Sequence, residues 1–243
     1  MLYNQAMHRQ HILAASGGYV VGYKKASLGP IIKYGLELTG RKVPRLCYIG
    51  TAAGDAVGGI TTFYNACIDQ NVTPSHLQLF TEPNVEDVRK HILRQNMIWV
   101  EGGSVANLLA VWRIHGLDII LREAWERGVV LAGYSAGSIC WHTGGTTDSF
   151  GEDLHPITNG LGFLPYSNGV HYDEHKDRRP LYHELIQKGV LDEGYATDDG
   201  AAVHYIGTKF HKAIADAPGK FAYHITRTET GIKETKLKTH LLS

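Results

Sequence analysis

Gly133-Tyr134-Ser135-Ala136-Gly137 sets a serine between two glycines, with one residue on either side. A serine hydroxyl attacks a carbonyl only if it stands clear of the backbone, a base takes its proton, and N–H groups receive the developing charge. The flanking residues supply the first condition. Val129-Val130-Leu131-Ala132 reads as a buried strand, and the small and apolar residues from Ser138 to Trp141 can continue as a helix. That strand–turn–helix context turns a G-x-S-x-G serine into a nucleophile at the carboxyl end of a strand. A side chain at either flanking glycine would clash in so tight a turn. The Ala136 N–H, at the helix start, is placed to stabilise an oxyanion.

The serine then needs a base and a group to orient it. Gly169-Val170-His171-Tyr172 is a short β-like run entering a loop, a good place to hold an imidazole. Asp198-Asp199-Gly200 puts an acid at a turn just before the run Ala201-Ala202-Val203. The order is then Ser135, His171, Asp199. The hydrolase order of serine, acid, histidine would instead take Asp148 or Asp199 with His204 or His224. Those late histidines sit inside β-like runs and read as ordinary strand residues. His171 and His175 with acids between them invite a metal reading. That spacing faces both rings one way only on a helix, and the H-E-x-x-H order is absent, so no metal is expected. Gly58-Gly59 and Gly102-Gly103 match no phosphate-loop pattern, and no organic cofactor is expected.

The elements that must carry these groups alternate. Strands are expected at 11–16, 45–50, 76–80, 97–100 and 129–132. Helices are expected at 27–40, 60–70, from a cap at Asn84 through Ile92, at 105–113 and at 117–127. Short strands alternating with helices define βαβ units and a mostly parallel, doubly wound sheet with helices on both faces. The glycine turns at Gly17-Gly18, Gly50, Gly102-Gly103 and Gly133 all fall at its carboxyl edge, where functional residues collect. Beyond Trp141 the pattern loosens. Residues 143–168 read as loop with a short hairpin, 180–189 as a helix with Pro180 in its first turn, and 201–206 and 221–227 as late, partly antiparallel strands. Residues 1–10 read as a tail and 11–243 as a single α/β domain. Trp99, Trp112, Trp125 and Trp141 fall at core-facing positions.

Composition narrows the partners. The 243 residues are 43% hydrophobic, enough for a full core, and Lys+Arg and Asp+Glu are both 24. A zero net charge gives no electrostatic footprint for nucleic acid or an anionic membrane. No apolar run is long enough for a transmembrane helix, and the N-terminus lacks a signal-like segment. Cys47, Cys67 and Cys140 are scattered and odd in number, which argues against a disulfide framework and for a reducing, cytoplasmic setting. Of the 14 histidines, only those that other residues place gain a role.

Four motifs together resemble the peptidase E and cyanophycinase group of serine peptidases: Val100-Glu101-Gly102-Gly103-Ser104 opening a helix, Gly133 to Gly137, Val170-His171-Tyr172, and Asp198-Asp199-Gly200. The resemblance runs over nearly the whole chain from about residue 11. It implies a class I glutamine amidotransferase-like fold with a nucleophile elbow after a central strand. It also implies Ser135 as nucleophile, His171 as base, Asp199 as third member where the family typically has glutamate, and an oxyanion hole from Gly103 (or Gly102) and Ala136. Arg178, with Arg179 as alternative, matches the family's arginine for the substrate's aspartyl carboxylate. Asp148 matches a second acidic position that orders a loop or contacts substrate. The activity implied is removal of an N-terminal aspartate from dipeptides and short peptides, with a homodimer left open. The alternatives are a cyanophycinase-like or differently specific hydrolase, or an inactive relative that binds a small peptide or metabolite.

Overall fold

The computed structural model describes residues 9–22, 26–174 and 176–242. The expected tail over residues 1–10 lies, apart from residues 9 and 10, outside the described residues. In chain order the elements are β1 (His11–Ala15), β2 (Tyr19–Val21), β3 (Ala26–Leu28), α1 (Pro30–Leu38), β4 (Arg45–Ile49), a 3-10 turn (Thr51–Ala53), α2 (Val57–Cys67), β5 (Thr73–Leu77), α3 (Val88–Leu93) and β6 (Met97–Val100). There follow α4 (Val105–Ile114), α5 (Leu117–Glu126), β7 (Val130–Tyr134), α6 (Ala136–Ile139), β8 (Gly144–Thr147), β9 (His155–Ile157), β10 (Ser167–Gly169) and α7 (Arg178–Gln187). The chain ends with β11 (Gly194–Thr197), β12 (Ala201–Ile206), β13 (Lys209–Ala215), β14 (Ala222–Thr228), β15 (Gly231–Lys236) and β16 (Thr239–Leu241).

The main sheet runs β16-β13-β12-β1-β7-β6-β4-β5. Its parallel part, β1, β7, β6, β4 and β5, is built from short apolar runs. Met97, Ile98, Trp99 and Val100 are all fully buried, as a strand covered on both faces requires. The period of two then sorts side chains between two helix layers. Ile12, Ala14, Cys47, Ile49, Ile98, Val100 and Leu131 pack with α3, α4 and α5 through Ile92, Leu108, Trp112, Leu121 and Trp125. Leu13, Leu46, Tyr48, Met97, Trp99 and Ala132 pack with α1 and α2 through Ile31, Ile32 and Phe63. Burying each such aliphatic side chain contributes about 1.5–3 kcal/mol. Helices thus cover both faces, and all four tryptophans are core residues. Strand order reverses between β4 and β6, one strand from β7.

Several expectations need correction. The third strand is Thr73–Leu77, not 76–80: as an edge strand paired only with β4, it tolerates Pro74 and burial is complete only at Leu77. Leu79 and Phe80 instead donate their N–H groups to Asp55 Oδ2 at 2.5 and 3.0 Å. The next helix starts at Val88, capped by Asp87, whose Oδ1 accepts from Lys90 N–H at 2.8 Å. Asn84 Oδ1 is occupied by Gln78 N–H. The last helix starts at Arg178, two residues before Pro180. The largest difference lies beyond Trp141, where a second sheet runs β15-β14-β11-β10-β8-β9. Helix α7 covers it through Tyr182, Leu185 and Ile186, packed with Tyr172, Ala196, Tyr223 and Ile225. The chain passes from this sheet to the main one at Asp198-Asp199-Gly200, between β11 and β12.

Candidate active site

Ser135 joins β7 to α6 with φ 55° and ψ −117°, a left-handed backbone that costs a non-glycine residue about 1–3 kcal/mol. Three hydrogen bonds hold it there. Its N–H donates to Ala15 O at 3.0 Å, and its carbonyl accepts from Ser138 and Ile139 N–H at 2.9 and 3.0 Å. The flanking glycines are required by packing. A Cβ on Gly133 would lie 2.5 Å from Gly137 O, and one on Gly137 would lie 2.3 Å from Val100 O. The serine side chain is therefore carried at the carboxyl edge, partly exposed to solvent.

His171 follows β10, also with positive φ, 52°. Its N–H donates to Ser16 Oγ at 3.1 Å, and the next N–H, of Tyr172, donates to Thr197 O at 3.1 Å. His171 Nδ1 is hydrogen-bonded to Asp199 Oδ1, and Nε2 has no hydrogen-bond partner among the described residues. Asp199 is held by its own N–H, which donates to Asp173 Oδ1 at 2.8 Å. Burial works against the Asp173 charge, but Lys220 Nζ at 2.5 Å and the Asp199 N–H outweigh it and hold that carboxyl below its ordinary range. Asp198 faces elsewhere: its buried carboxylate accepts from Phe221 N–H at 3.0 Å and Tyr223 OH at 3.3 Å, and burial pushes its pKa up. Asp199 is thus the neighbour of His171, and Asp198 is not. Among the described residues no direct hydrogen bond joins Ser135 Oγ to His171.

Gly102 and Gly103 border the serine. A Cβ on Gly102 would touch the Tyr134 ring at 3.1 Å and Ser135 Cβ at 3.3 Å. Gly103 has φ 132°, and a Cβ there would strike Ala52 O at 2.4 Å. The loop is pinned as Ser104 N–H donates to Ala52 O at 2.9 Å and Ser104 Oγ accepts from Asn107 N–H at 3.2 Å. The Gly103 N–H finds no acceptor among the described residues, and Ala136 N–H, in a first helical turn, has no intrahelical one. Glu101, just before this loop, lies beside the Tyr134 and Tyr48 hydroxyls, and burial pushes its carboxyl up. No motif singled it out from sequence, and none singled out Ser16.

Arg178 and Arg179 diverge at the start of α7. Arg178 is nine-tenths buried, donates from Nη2 to Asp148 Oδ2 at 3.2 Å, and has a buried Nε without a hydrogen-bond partner among the described residues. Arg179 lies over the rings of Tyr172 and Tyr223, 4.6 and 4.8 Å from their centroids, with Nε 3.5 Å from Glu234 Oε2. It lines a cavity of about 550 Å³ with Lys176, Asp198 and Lys236. The structure brings Asp148 to Arg178 and leaves Arg179 to a separate surface. His204 and His224 lie within β12 and β14, and His204 is bonded to Tyr34 OH and His11, each at 2.9 Å. His175 lies outside the described residues. Among those described, only His171, Glu174 and Asp199 bring three potential metal-donor atoms together, within 4.8 Å of one another. Two of those atoms already bond each other. No described helix is long and apolar enough to cross a membrane.

The chain has relatives in sequence and in fold. The chain is 42% identical over 236 residues to the uncharacterized peptidase YgaJ of Bacillus subtilis (strain 168), covering 96% of this chain and 99% of that one. Its fold matches a peptidase from an acI-B1 actinobacterium with TM-score 0.67 at 17% identity, over 96% of both chains. It also matches a protein assigned as peptidase E from Listeria monocytogenes EGD-e with TM-score 0.61 at 15% identity, over 84% of this chain and 97% of that one. The model of peptidase family S51 matches residues 12–213, so the chain belongs to peptidase family S51.

Proposed function

We propose that this chain is a serine peptidase that removes an N-terminal aspartate from dipeptides and short peptides through an acyl-enzyme. The observation that carries the reading is the His171–Asp199 pair, its Nε2 unbonded among the described residues, whose backbone is held by Ser16, the chain neighbour of the Ala15 carbonyl that receives the Ser135 N–H. Ser135 Oγ attacks the carbonyl of the aspartyl residue as His171 Nε2 takes its proton. Asp199 keeps the imidazole in the tautomer with hydrogen on Nδ1 and stabilises the imidazolium. The Gly103 and Ala136 N–H groups receive the oxyanion. His171 then passes the proton to the leaving amine, and water, activated by the same base, releases aspartate. The Ser135–His171 hydrogen bond is expected to form with substrate bound, where such catalytic contacts tighten.

Arg178 fits the aspartyl carboxylate because it is buried, forked and held in place by a carboxylate that substrate can displace or share. The free, buried thiols of Cys47, Cys67 and Cys140 suit a reducing compartment. Burial drives the Cys47 thiol up to about 12, so it is no ready nucleophile. A panel of Asp-X, Ala-X and β-linked aspartyl dipeptides tests the specificity. Turnover confined to Asp-X is expected. Turnover of β-linked substrates would point to a cyanophycinase-like activity, and none on any substrate to a binding protein.

A further inference from the structure

The three proposed catalytic side chains come from two different sheets. Ser135 stands at the end of β7 in the main sheet, His171 follows β10 in the second, and Asp199 sits where the chain crosses from β11 to β12. The two ladders are separate, so contacts across the seam set the separation; Ser138 Oγ of α6 donates to Asn168 Oδ1 of β10 at 2.8 Å, but that bond does not reach the His171 backbone itself.

Ser16, at the carboxyl end of β1, makes the contact at His171. It is 3% exposed. Its backbone belongs to the main sheet: Ser16 N–H donates to Ala201 O and its carbonyl accepts from Gly200 N–H, both at 2.9 Å. The residue before it receives the Ser135 N–H. Its hydroxyl reaches the other sheet twice, accepting from His171 N–H at 3.1 Å and sharing a hydrogen bond of 2.6 Å with Thr197 Oγ1 of β11. The His171 backbone is itself in a left-handed conformation that must be held from outside. One hydroxyl therefore ties the base, and the strand that delivers the acid, to the residue beside the nucleophile's anchor.

We infer that Ser16 is a positioning residue that holds the His171 backbone in its strained conformation against the end of β1. It touches no substrate and acts through His171. The inference rests on the serine-peptidase reading above. Ser16→Ala removes the hydroxyl while keeping the β1 backbone bonds, so His171 relaxes and the near-attack geometry loosens. A displacement of this kind costs up to about 100-fold in kcat, and KM for Asp-X stays unchanged because the substrate-binding groups do not move.

The test uses the full-length chain as Ser16→Ala and as Ser16→Thr, which keeps the hydroxyl, with Ser135→Ala alongside. Steady-state kinetics on Asp-X, the rate of labelling by a fluorophosphonate and the downfield Nδ1 proton resonance of His171 are measured on folded protein. The expected result is a kcat and labelling rate that fall together in Ser16→Ala with a changed Nδ1 resonance, and recovery in Ser16→Thr. A folded Ser16→Ala with wild-type kcat and resonance overturns the inference. Equal losses in the alanine and threonine variants, or a loss that only follows the unfolded fraction, overturn it too. Activity that survives Ser135→Ala refutes the serine-peptidase reading itself. A Ser135-dependent activity untouched by Ser16→Ala refutes only the positioning role.

Discussion

Replacing Arg178 with alanine separates recognition of the aspartyl carboxylate from support of the fold. The guanidinium side chain is 11% exposed, whereas its resident partner Asp148 is 57% exposed. Losing Arg178 strands Asp148 in water, so the unbound protein gives up about 1 kcal/mol or less from that pair. A substrate carboxylate that replaces water beside the buried guanidinium is in a different situation. At a charge separation of about 4 Å and an effective dielectric near 20, the pair is worth about 4 kcal/mol. That corresponds to roughly a thousandfold in kcat/KM. An alanyl substrate has no carboxylate to strand, so Ala-X should change only a few-fold. The assay is kcat/KM for Asp-X and Ala-X in wild type, Arg178→Ala, Arg178→Lys and Arg179→Ala, with urea denaturation of each. Lysine keeps the charge and loses the fork, so it should fall between wild type and alanine. Arg179, stacked on Tyr172 and Tyr223, is the neighbouring control and should be milder. Equal losses on the two substrates would refute the reasoning and make Arg178 a support for the fold or the His171 loop, with Arg179 the next cation to test.

Three further outcomes are expected. Asp199→Asn should leave the urea midpoint near wild type and lower kcat on the order of a thousandfold or more, because the amide favours the wrong imidazole tautomer; a larger loss in Asp198→Asn or Asp148→Asn would displace Asp199 from its role. Gly137→Ala should destabilise the protein by about 1–3 kcal/mol or more, read as a shifted urea midpoint, because its Cβ meets Val100 O at 2.3 Å in a backbone contact that cannot yield cheaply. His142 is fully buried, and burial lowers its pKa to about 4 despite its Nδ1 contact with Ser138 O at 2.9 Å. Between about pH 6.5 and 4 the unfolded chain binds a proton that the folded one refuses, so stability should fall as pH falls, by up to roughly 3 kcal/mol from this group. His204, lowered to about 3, adds in the same direction. Replacing both with glutamine should flatten the acid side of the stability curve, and an unchanged slope would remove these histidines from the account.

The parts legible in the sequence were those whose physics is local. The run Met97–Val100 is apolar throughout because both its faces are covered, and the glycines around Ser135 are required by contacts within one turn and its neighbouring strand. The second sheet was less legible because its inner strands are small and polar. In β10, Ser167 and Asn168 are fully buried, and Asn168 is paid for by Ser138 Oγ at 2.8 Å and Tyr195 O at 3.2 Å rather than by apolar contact. Hydrophobic alternation cannot register such a strand. Ser16 was invisible for another reason: its partners His171 and Thr197 are 155 and 181 residues away, so only the folded chain gives it meaning. Arg178 and Arg179 are adjacent in sequence, and only the direction of the first turn of α7 separates the residue facing Asp148 from the one stacked on tyrosines.

The central claim is that Ser135 is the nucleophile and His171 its base. Incubation of the wild-type protein with a fluorophosphonate, followed by intact mass and peptide mapping, addresses it most directly. One phosphonyl group per chain on Ser135, loss of Asp-X hydrolysis in step with labelling, no adduct in Ser135→Ala and slow labelling in His171→Ala are the predicted results. An active enzyme that carries its adduct on another residue, or a Ser135→Ala variant that keeps more than about a tenth of wild-type turnover, would contradict it.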